Sequence, residues 1–394
     1  MQTEAVIKHR EIFDRIAPYL HSREAIIITG MRQTGKTTLL HYFFQKIGSP
    51  NKLFLDLENP LNRRYFEEQD YERIKASLEL LGLRFDQRAY IFLDEIQLVK
   101  GIPSVVKYFI DHYGVKFFLT GSASFYLKDL FTESLAGRKF IFELYPLTFR
   151  EFLSFKGFSL SIPERPEMIS SAIHERLTSL YEEYILFGGF PAVTLKGTAD
   201  EKRRTLEDIF SSYFQLEVVQ LGDFRRNEVL RDLMLLLMER IGSKLDMTKL
   251  AKELKISRST LSEYVAFLEG TYFIKTLSPF SRGRNSEIRK AKKVYLCDTG
   301  LAAQLSRADK GALFENSVFQ ILRTKGNLAY FQKKSGVEID FIVDQTVAYE
   351  VKISPSRSDI NKISRLAKEL GLKEYKVVAM KYSELEGVIY PFML

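Results

Sequence analysis

Three groups of residues in this chain have the types and spacing to do chemistry. Gly30-Met31-Arg32-Gln33-Thr34-Gly35-Lys36-Thr37 fits G-x-x-x-x-G-K-[ST]. Gly30 and Gly35 let the backbone curl so that its N–H groups point at phosphate oxygens. A helix opening at Lys36 adds a positive dipole end. Lys36 is expected to reach the terminal phosphates and Thr37 to offer its hydroxyl to Mg²⁺. Met31, Arg32, Gln33, Thr34 and Thr38 complete the cradle. Tyr90-Ile91-Phe92-Leu93-Asp94-Glu95 is a buried-strand pattern with two carboxylates at its carboxyl end, where ligands sit in an open α/β sheet. Asp94 is expected to hold Mg²⁺ through water, and Glu95 to act as general base on an attacking water. Thr120 and Ser122 end a third such strand. Either could sense the γ-phosphate, and a strand cap before a Gly turn gives the same pattern. Loop and carboxylates together predict an NTP hydrolase.

The second group lies in the last quarter of the chain. Val337–Val343 and Val347–Ile353 alternate apolar and polar residues, as strands do. A three-residue turn at Asp344-Gln345-Thr346 pairs Val343 with Val347. Stepping back along that ladder puts Asp340 opposite Glu350 and Glu338 opposite Lys352. The like-charge pair should destabilise the hairpin unless a divalent cation lies between the carboxylates. Asp340 and Glu350 are therefore candidate Mg²⁺ ligands of a metal-dependent phosphodiesterase. Lys352 would orient water or stabilise phosphate charge, and Glu315 could add a carboxylate.

The third group is basic. The chain has 394 residues and a formal net charge of +8. Arg240–Gly300 holds 13 Lys and Arg against 6 Asp and Glu, a surplus of +7 that leaves +1 for everything else. Within it, Arg282, Arg284, Arg289, Lys290, Lys292 and Lys293 face only Glu287. The same segment reads as a winged helix. Asp246 caps one short helix, Ser257 caps a second, and Tyr272–Leu277 and Lys293–Leu296 are wing strands. Arg258, Ser259 and Thr260 open the second helix and would face base edges and phosphates in a major groove. Duplex DNA is the expected partner, and a protein-docking wing is the alternative.

The elements that must position these residues follow from hydrophobic patterning. Val6–Leu20 has helical spacing. The strands Ala25–Thr29, Leu53–Leu57, Tyr90–Leu93 and Lys116–Thr120 alternate with helical stretches, which predicts a parallel sheet covered by helices. From about Leu147 to Arg240 the pattern is helical, broken at Gly188, Gly189 and Pro191. The end of the chain reads αβββαβ. The expected class is α/β multidomain, divided at 1–155, 156–240, 241–304 and 305–394.

Residues Gly30–Leu40, Asp94–Glu95, Leu119–Ser124 and Glu133–Arg138 resemble AAA-type P-loop ATPases of archaea and bacteria. These carry a C-terminal domain of unknown function of the DUF4143 kind. Tyr145–Leu153, Gly188-Gly189-Phe190-Pro191, Asp298-Thr299-Gly300-Leu301 and the region around Glu350-Val351-Lys352 fit the same family. The resemblance implies ATP as the nucleotide, a helical lid, a winged helix and a nuclease-like terminal domain. It also makes Arg138 a candidate for touching the γ-phosphate, within the chain or across a homo-oligomer. Glu315, Asp340, Glu350 and Lys352 resemble the PD-(D/E)xK nuclease superfamily, with Ile339-Asp340 in place of Pro-Asp. The resemblance leaves open whether the terminal domain cleaves DNA or is an inactive relative serving a DNA-binding or protein-docking ATPase.

Composition excludes other classes. One cysteine, Cys297, permits no disulfide framework. The five histidines are scattered without metal-ligand spacing. No apolar run approaches the ~18 residues of a membrane span, and the N-terminus lacks a signal-peptide core, so a soluble cytoplasmic protein is expected.

Overall fold

The computed structural model describes residues 7–122, 135–159, 162–222, 224, 226–280 and 291–394. They belong to two compact units, Met1–Tyr145 with Gly270–Tyr272, and Pro146–Glu269 with Phe273–Leu394. The fold class is α/β and multidomain, with one all-parallel and one mixed five-stranded sheet.

In the first unit, strands β1 (Ala25–Thr29), β2 (Lys52–Asp56), β3 (Tyr90–Asp94), β4 (Lys116–Gly121) and β5 (Lys139–Glu143) lie in the order β2-β3-β4-β1-β5. All neighbours are parallel. The central strands β1, β3 and β4 are buried on both faces, which is why they read as continuous apolar runs. Ile27, Ile91, Leu93 and Leu119 pack in one cluster with Ile74 of helix α4 (Tyr71–Leu80) and Phe109 of α5 (Ile102–Tyr113). Ile26, Ile28, Phe92 and Phe118 pack on the other side with Ile16 of α1 (Glu11–Ile16) and Leu39, Leu40 and Phe43 of α2 (Lys36–Lys46). A short helix, α3 (Pro60–Arg64), follows β2.

Two expectations change here. The first helix is shorter than Val6–Leu20. It runs from Glu11 to Ile16 and tightens into a 3₁₀ turn at Ala17–Tyr19, where Pro18 has no N–H to continue the α-helical ladder. Strand β5 was not visible in the sequence. Its five residues are mostly half-buried on the sheet edge, and its pairing with β1 is what makes it a strand.

The second unit opens with helices α6 (Phe149–Phe155), α7 (Ser171–Phe187), α8 (Pro191–Thr194), α9 (Ala199–Tyr213) and α10 (Asn227–Glu239). Then come α11 (Met247–Glu253), α12 (Arg258–Gly270) and the antiparallel pair β6 (Ile274–Leu277) and β7 (Lys293–Leu296). Asp246 accepts the amides of Thr248 and Lys249, and Ser257 Oγ accepts that of Thr260. Two further helices, α13 (Thr299–Leu305) and α14 (Lys310–Leu322), lead into β8 (Leu328–Gln332), β9 (Glu338–Val343) and β10 (Val347–Lys352). Helix α15 (Arg357–Glu369), β11 (Glu374–Ala379) and the short β12 (Val388–Ile389) complete the unit. The sheet order is β12-β11-β10-β9-β8, antiparallel from β8 to β10 and parallel beyond.

Several motifs turn out to be joints. In Tyr145–Leu153, Thr148 and Glu151 form a reciprocal capping box at the start of α6. The Gly188-Gly189 and Asp298-Thr299-Gly300 stretches, 109 residues apart, meet. Asp298 accepts the amides of Gly189 at 2.7 Å and Gly300 at 2.8 Å. A Cβ on Gly188 would lie 1.8 Å from the Asp298 carboxylate, and one on Gly300 2.3 Å from the Phe187 carbonyl. Only glycine fits at either place.

Candidate functional site

The phosphate loop leaves the carboxyl end of β1 and enters α2. Gly30 has φ of +152°, and a Cβ there would sit 2.2 Å from the Leu144 carbonyl oxygen. Gly35 caps α2 with φ of +97°, and a Cβ there would meet nothing within 4 Å. The loop is therefore pressed against β5's exit on one side and open at the helix N-terminus, where the first-turn amides have no helical partner. Lys36 is buried and donates to the carbonyls of Gly30 and Met31, both at 3.0 Å, so its ammonium spans the loop. Thr34 is buried and donates back to Met31 at 2.9 Å. Gln33 takes a left-handed φ of 62° and is exposed, as are Thr37 and Thr38. Sequence reasoning missed Arg10. Its guanidinium donates to the Thr34 carbonyl at 3.1 Å and the Tyr145 carbonyl at 2.8 Å, bracing the loop from behind. No local pattern around Arg10 announces that contact.

Asp94 and Glu95 end β3, two strands from β1 in the sheet. Asp94 is buried and accepts a hydrogen bond from the Thr120 hydroxyl, and that same oxygen accepts the Glu95 amide at 3.3 Å. Glu95 sits at a left-handed φ of 55°, a strained setting for a non-glycine residue. Its carboxylate accepts from Gln97 Nε2 and lies 3.9 Å from the Arg32 guanidinium. Ser122 Oγ accepts from the same Gln97 nitrogen at 3.0 Å. Thr120 and Ser122 are thus turned onto Asp94, Glu95 and Gln97. The loop, the open helix end and the carboxylate donors fit a Mg²⁺-nucleotide. Lys36 and the loop amides would hold phosphates, and Thr37 and Asp94 the ion.

Arg138 does not belong to its own chain's site. It precedes β5, and its carbonyl accepts the amide of Ala25 at the start of β1. Because the strands are parallel, that is the amino end of the sheet. The phosphate loop lies beyond the other end, roughly 16 Å of strand away. The Arg138 guanidinium is spent on Asp111 at 2.7 Å. Any nucleotide contact by Arg138 would be with a second copy.

The terminal carboxylates come together, with a partner the sequence did not suggest. Lys293, which its basic run predicts to face DNA, instead turns inward to these carboxylates. Its side chain is 4% exposed, and its ammonium lies 3.3 Å from Glu315, 3.7 Å from Glu338 and 3.9 Å from Asp340. The Tyr330 ring lies 5.6 Å from it, and Tyr295 donates to Glu315 at 2.6 Å. Burial works against the charge on Lys293, but Glu315, Asp340 and Glu338 outweigh it and raise its pKa. Burial, with Glu315 and Glu350 beside it, pushes Asp340 well above the ordinary carboxylate range.

The predicted register holds from Val343–Val347 to Phe341–Tyr349. Beyond that, Asp340 Oδ2 accepts the Val351 amide at 2.8 Å. Asp340 and Glu350 stay neighbours as expected, but the expected Glu338–Lys352 pair does not form. Lys352 pairs with Glu350 at 2.9 Å, not with Glu338, and Lys362 also reaches Glu350. Glu350 keeps one buried oxygen without a partner among the described residues. That oxygen is the single feature that invites a cation. Against it, the position shared by Glu315, Glu338 and Asp340 is taken by an ammonium. Among the described residues no three His, Cys, Asp or Glu side chains form a metal-binding group. In this structure the Lys293 ammonium supplies the positive charge among Glu315, Glu338 and Asp340.

Of the predicted nucleic-acid residues, Arg258 and Ser259 are exposed at the start of α12, and Lys292 is exposed before β7. Thr260 Oγ1 lies 2.8 Å from the Ser257 cap. Arg258 and Lys292 line one cleft of about 740 Å³, with Lys244 and Thr248. Arg282, Arg284, Arg289 and Lys290 lie outside the described residues. Among the described residues, no helix is long and apolar enough to cross a membrane.

Residues 22–153 match the AAA domain, 178–311 a domain of unknown function (DUF8612) and 310–389 a domain of unknown function (DUF4143). An uncharacterised protein of Methanocaldococcus jannaschii is 27% identical over 97% of this chain and 86% of its own length. One from Haemophilus influenzae is 25% identical over 91% and 90%. Among solved structures, a Walker-type ATPase of Pyrococcus abyssi covers 75% of this chain and 95% of its own at 15% identity, with a TM-score of 0.46.

Proposed function

For a chain that carries an AAA ATPase domain and a C-terminal DUF4143 domain, we propose Mg²⁺-dependent ATP hydrolysis in the first unit and duplex-DNA binding by the second. The observation that carries the hydrolysis is the braced pair at the end of β3. Asp94 and Glu95 are both tied to Thr120 at the carboxyl end of the sheet that also launches the phosphate loop. Mg²⁺ supplies charge neutralisation on the phosphates. Lys36 and the loop hold those phosphates, and Glu95 accepts the proton of the attacking water.

DNA binding rests on α11, α12 and the β6–β7 pair read as a winged helix, with Arg258 and Lys292 at its cleft. Binding is expected to run mostly through phosphates. We assign the DUF4143 domain a non-cleaving role, because lysines already compensate its carboxylates. The metal-dependent nuclease reading is favoured only by the unpartnered Glu350 oxygen.

ATP turnover and DNA integrity measured together, with Mg²⁺ or Mn²⁺, test all of this. Turnover is expected to disappear in Lys36→Ala, and DNA is expected to stimulate it and remain intact. Cleavage lost in Asp340→Ala would establish the nuclease instead. DNA-blind turnover would leave a protein-docking ATPase. Wild-type turnover by Lys36→Ala would remove the central claim.

A further inference from the structure

Gln97 was not among the residues the sequence singled out. The left-handed Glu95 starts a 3₁₀ turn over Ile96–Leu98, and that turn brings Gln97 back beside Glu95. Its amide nitrogen donates to Glu95 Oε2 and to Ser122 Oγ. The orientation of the amide is chemically determined, because an ionised carboxylate only accepts, so nitrogen must face Glu95. That leaves the carbonyl oxygen, Oε1, buried and without a hydrogen-bond donor among the described residues. A buried acceptor left over beside a general base is rare in folded proteins and asks for a donor.

We propose that Gln97 positions the attacking water for hydrolysis. Its nitrogen fixes the Glu95 carboxylate and ties it to the end of β4, and its carbonyl accepts a hydrogen bond from the water, whose other hydrogen is passed as a proton to Glu95. The water oxygen then forms the new bond to the γ-phosphorus as the bond to the β–γ bridging oxygen breaks. The products are ADP and inorganic phosphate, and the proton rests on Glu95 before release to solvent. In other P-loop hydrolases a glutamine does the same orienting work. The proposal rests on the reading of this site as an ATP hydrolase.

The test is steady-state ATP turnover by the full chain, with affinity for a fluorescent ATP analogue measured separately. Gln97→Met keeps the side-chain length and removes both amide atoms. It is expected to lower kcat about a hundredfold. KM and analogue affinity should stay within a few fold. In a Glu95→Gln background the same change should add nothing further, because both residues act on one water. A Gln97→Met enzyme with near-normal kcat would overturn the proposal. So would loss of analogue affinity in step with kcat, or effects of Gln97→Met and Glu95→Gln that multiply. Absence of turnover in the wild type, or unchanged turnover in Lys36→Ala, would overturn the hydrolase reading itself and this role with it.

Discussion

At the scale of single residues, the charge on Lys293 is the instructive case. A lysine in a basic run reads as a phosphate contact, yet this one compensates three carboxylates. Removing it would leave Glu315, Glu338 and Asp340 together without their ammonium. Breaking a buried ionic group from one side costs about 3–5 kcal/mol. Lys293→Ala is therefore expected to lower the unfolding free energy, read from denaturant melts, by an amount of that order. Its DNA affinity, measured where the protein is still folded, should stay near wild type. Mn²⁺ titration gives a companion check. Wild type should show no Asp340-dependent binding, because an ammonium already holds the position the carboxylates share.

At the scale of elements, the joint between α7 and α13 depends on one buried acid. Asp298 is fully enclosed, and burial raises its pKa to about 6 from the ordinary 3.8 even though the backbone amides of Gly189 and Gly300 pull the other way. The sign follows from the folded form holding its proton longer than the unfolded form. The contribution of Asp298 to stability is fully present below about pH 4 and is lost as pH rises through 6. The span corresponds to something on the order of 3 kcal/mol. Asp298→Asn stays neutral throughout, though it gives up one of the two amide contacts. Denaturant melts of both proteins between pH 4 and pH 7 should show the wild type losing stability relative to the variant by about that amount. A constant gap would remove the explanation. The capped helix α12 makes a smaller claim at this scale. Ser257→Ala should cost about 1 kcal/mol, read in the same melts.

At the scale of the whole molecule, net charge and surface charge are different quantities. The +7 of Arg240–Gly300 includes Lys293, whose compensating acids lie outside that segment. The cationic surface offered to a polyanion is accordingly smaller than the count suggests, and its described members are led by Arg258 and Lys292. Duplex-DNA affinity should fall steeply with salt, by counterion release. Arg258→Ala and Lys292→Ala should each reduce the slope of log K against log salt by about one. Lys293→Ala should leave that slope unchanged. Salt-independent association would argue for a protein partner at the same cleft.

Local chemistry determined a good deal of this in advance. A G-x-x-x-x-G-K-T loop after an apolar run has few other conformations open to it. Period-2 alternation and a short turn were enough to place Val343 against Val347. The caps at Asp246 and Ser257 follow from which side chains can accept orphan amides. Tertiary structure decided what depends on residues distant in the chain. It put Arg138 at the amino end of a parallel sheet, because β5 pairs with β1 in one direction only. It turned Thr120 and Ser122 onto Asp94 and Gln97, because adjacent strands end side by side. It brought Lys293 to Glu315, Glu338 and Asp340, because a buried charge is tolerated only where opposite charges surround it. No short-range pattern could have named those partners.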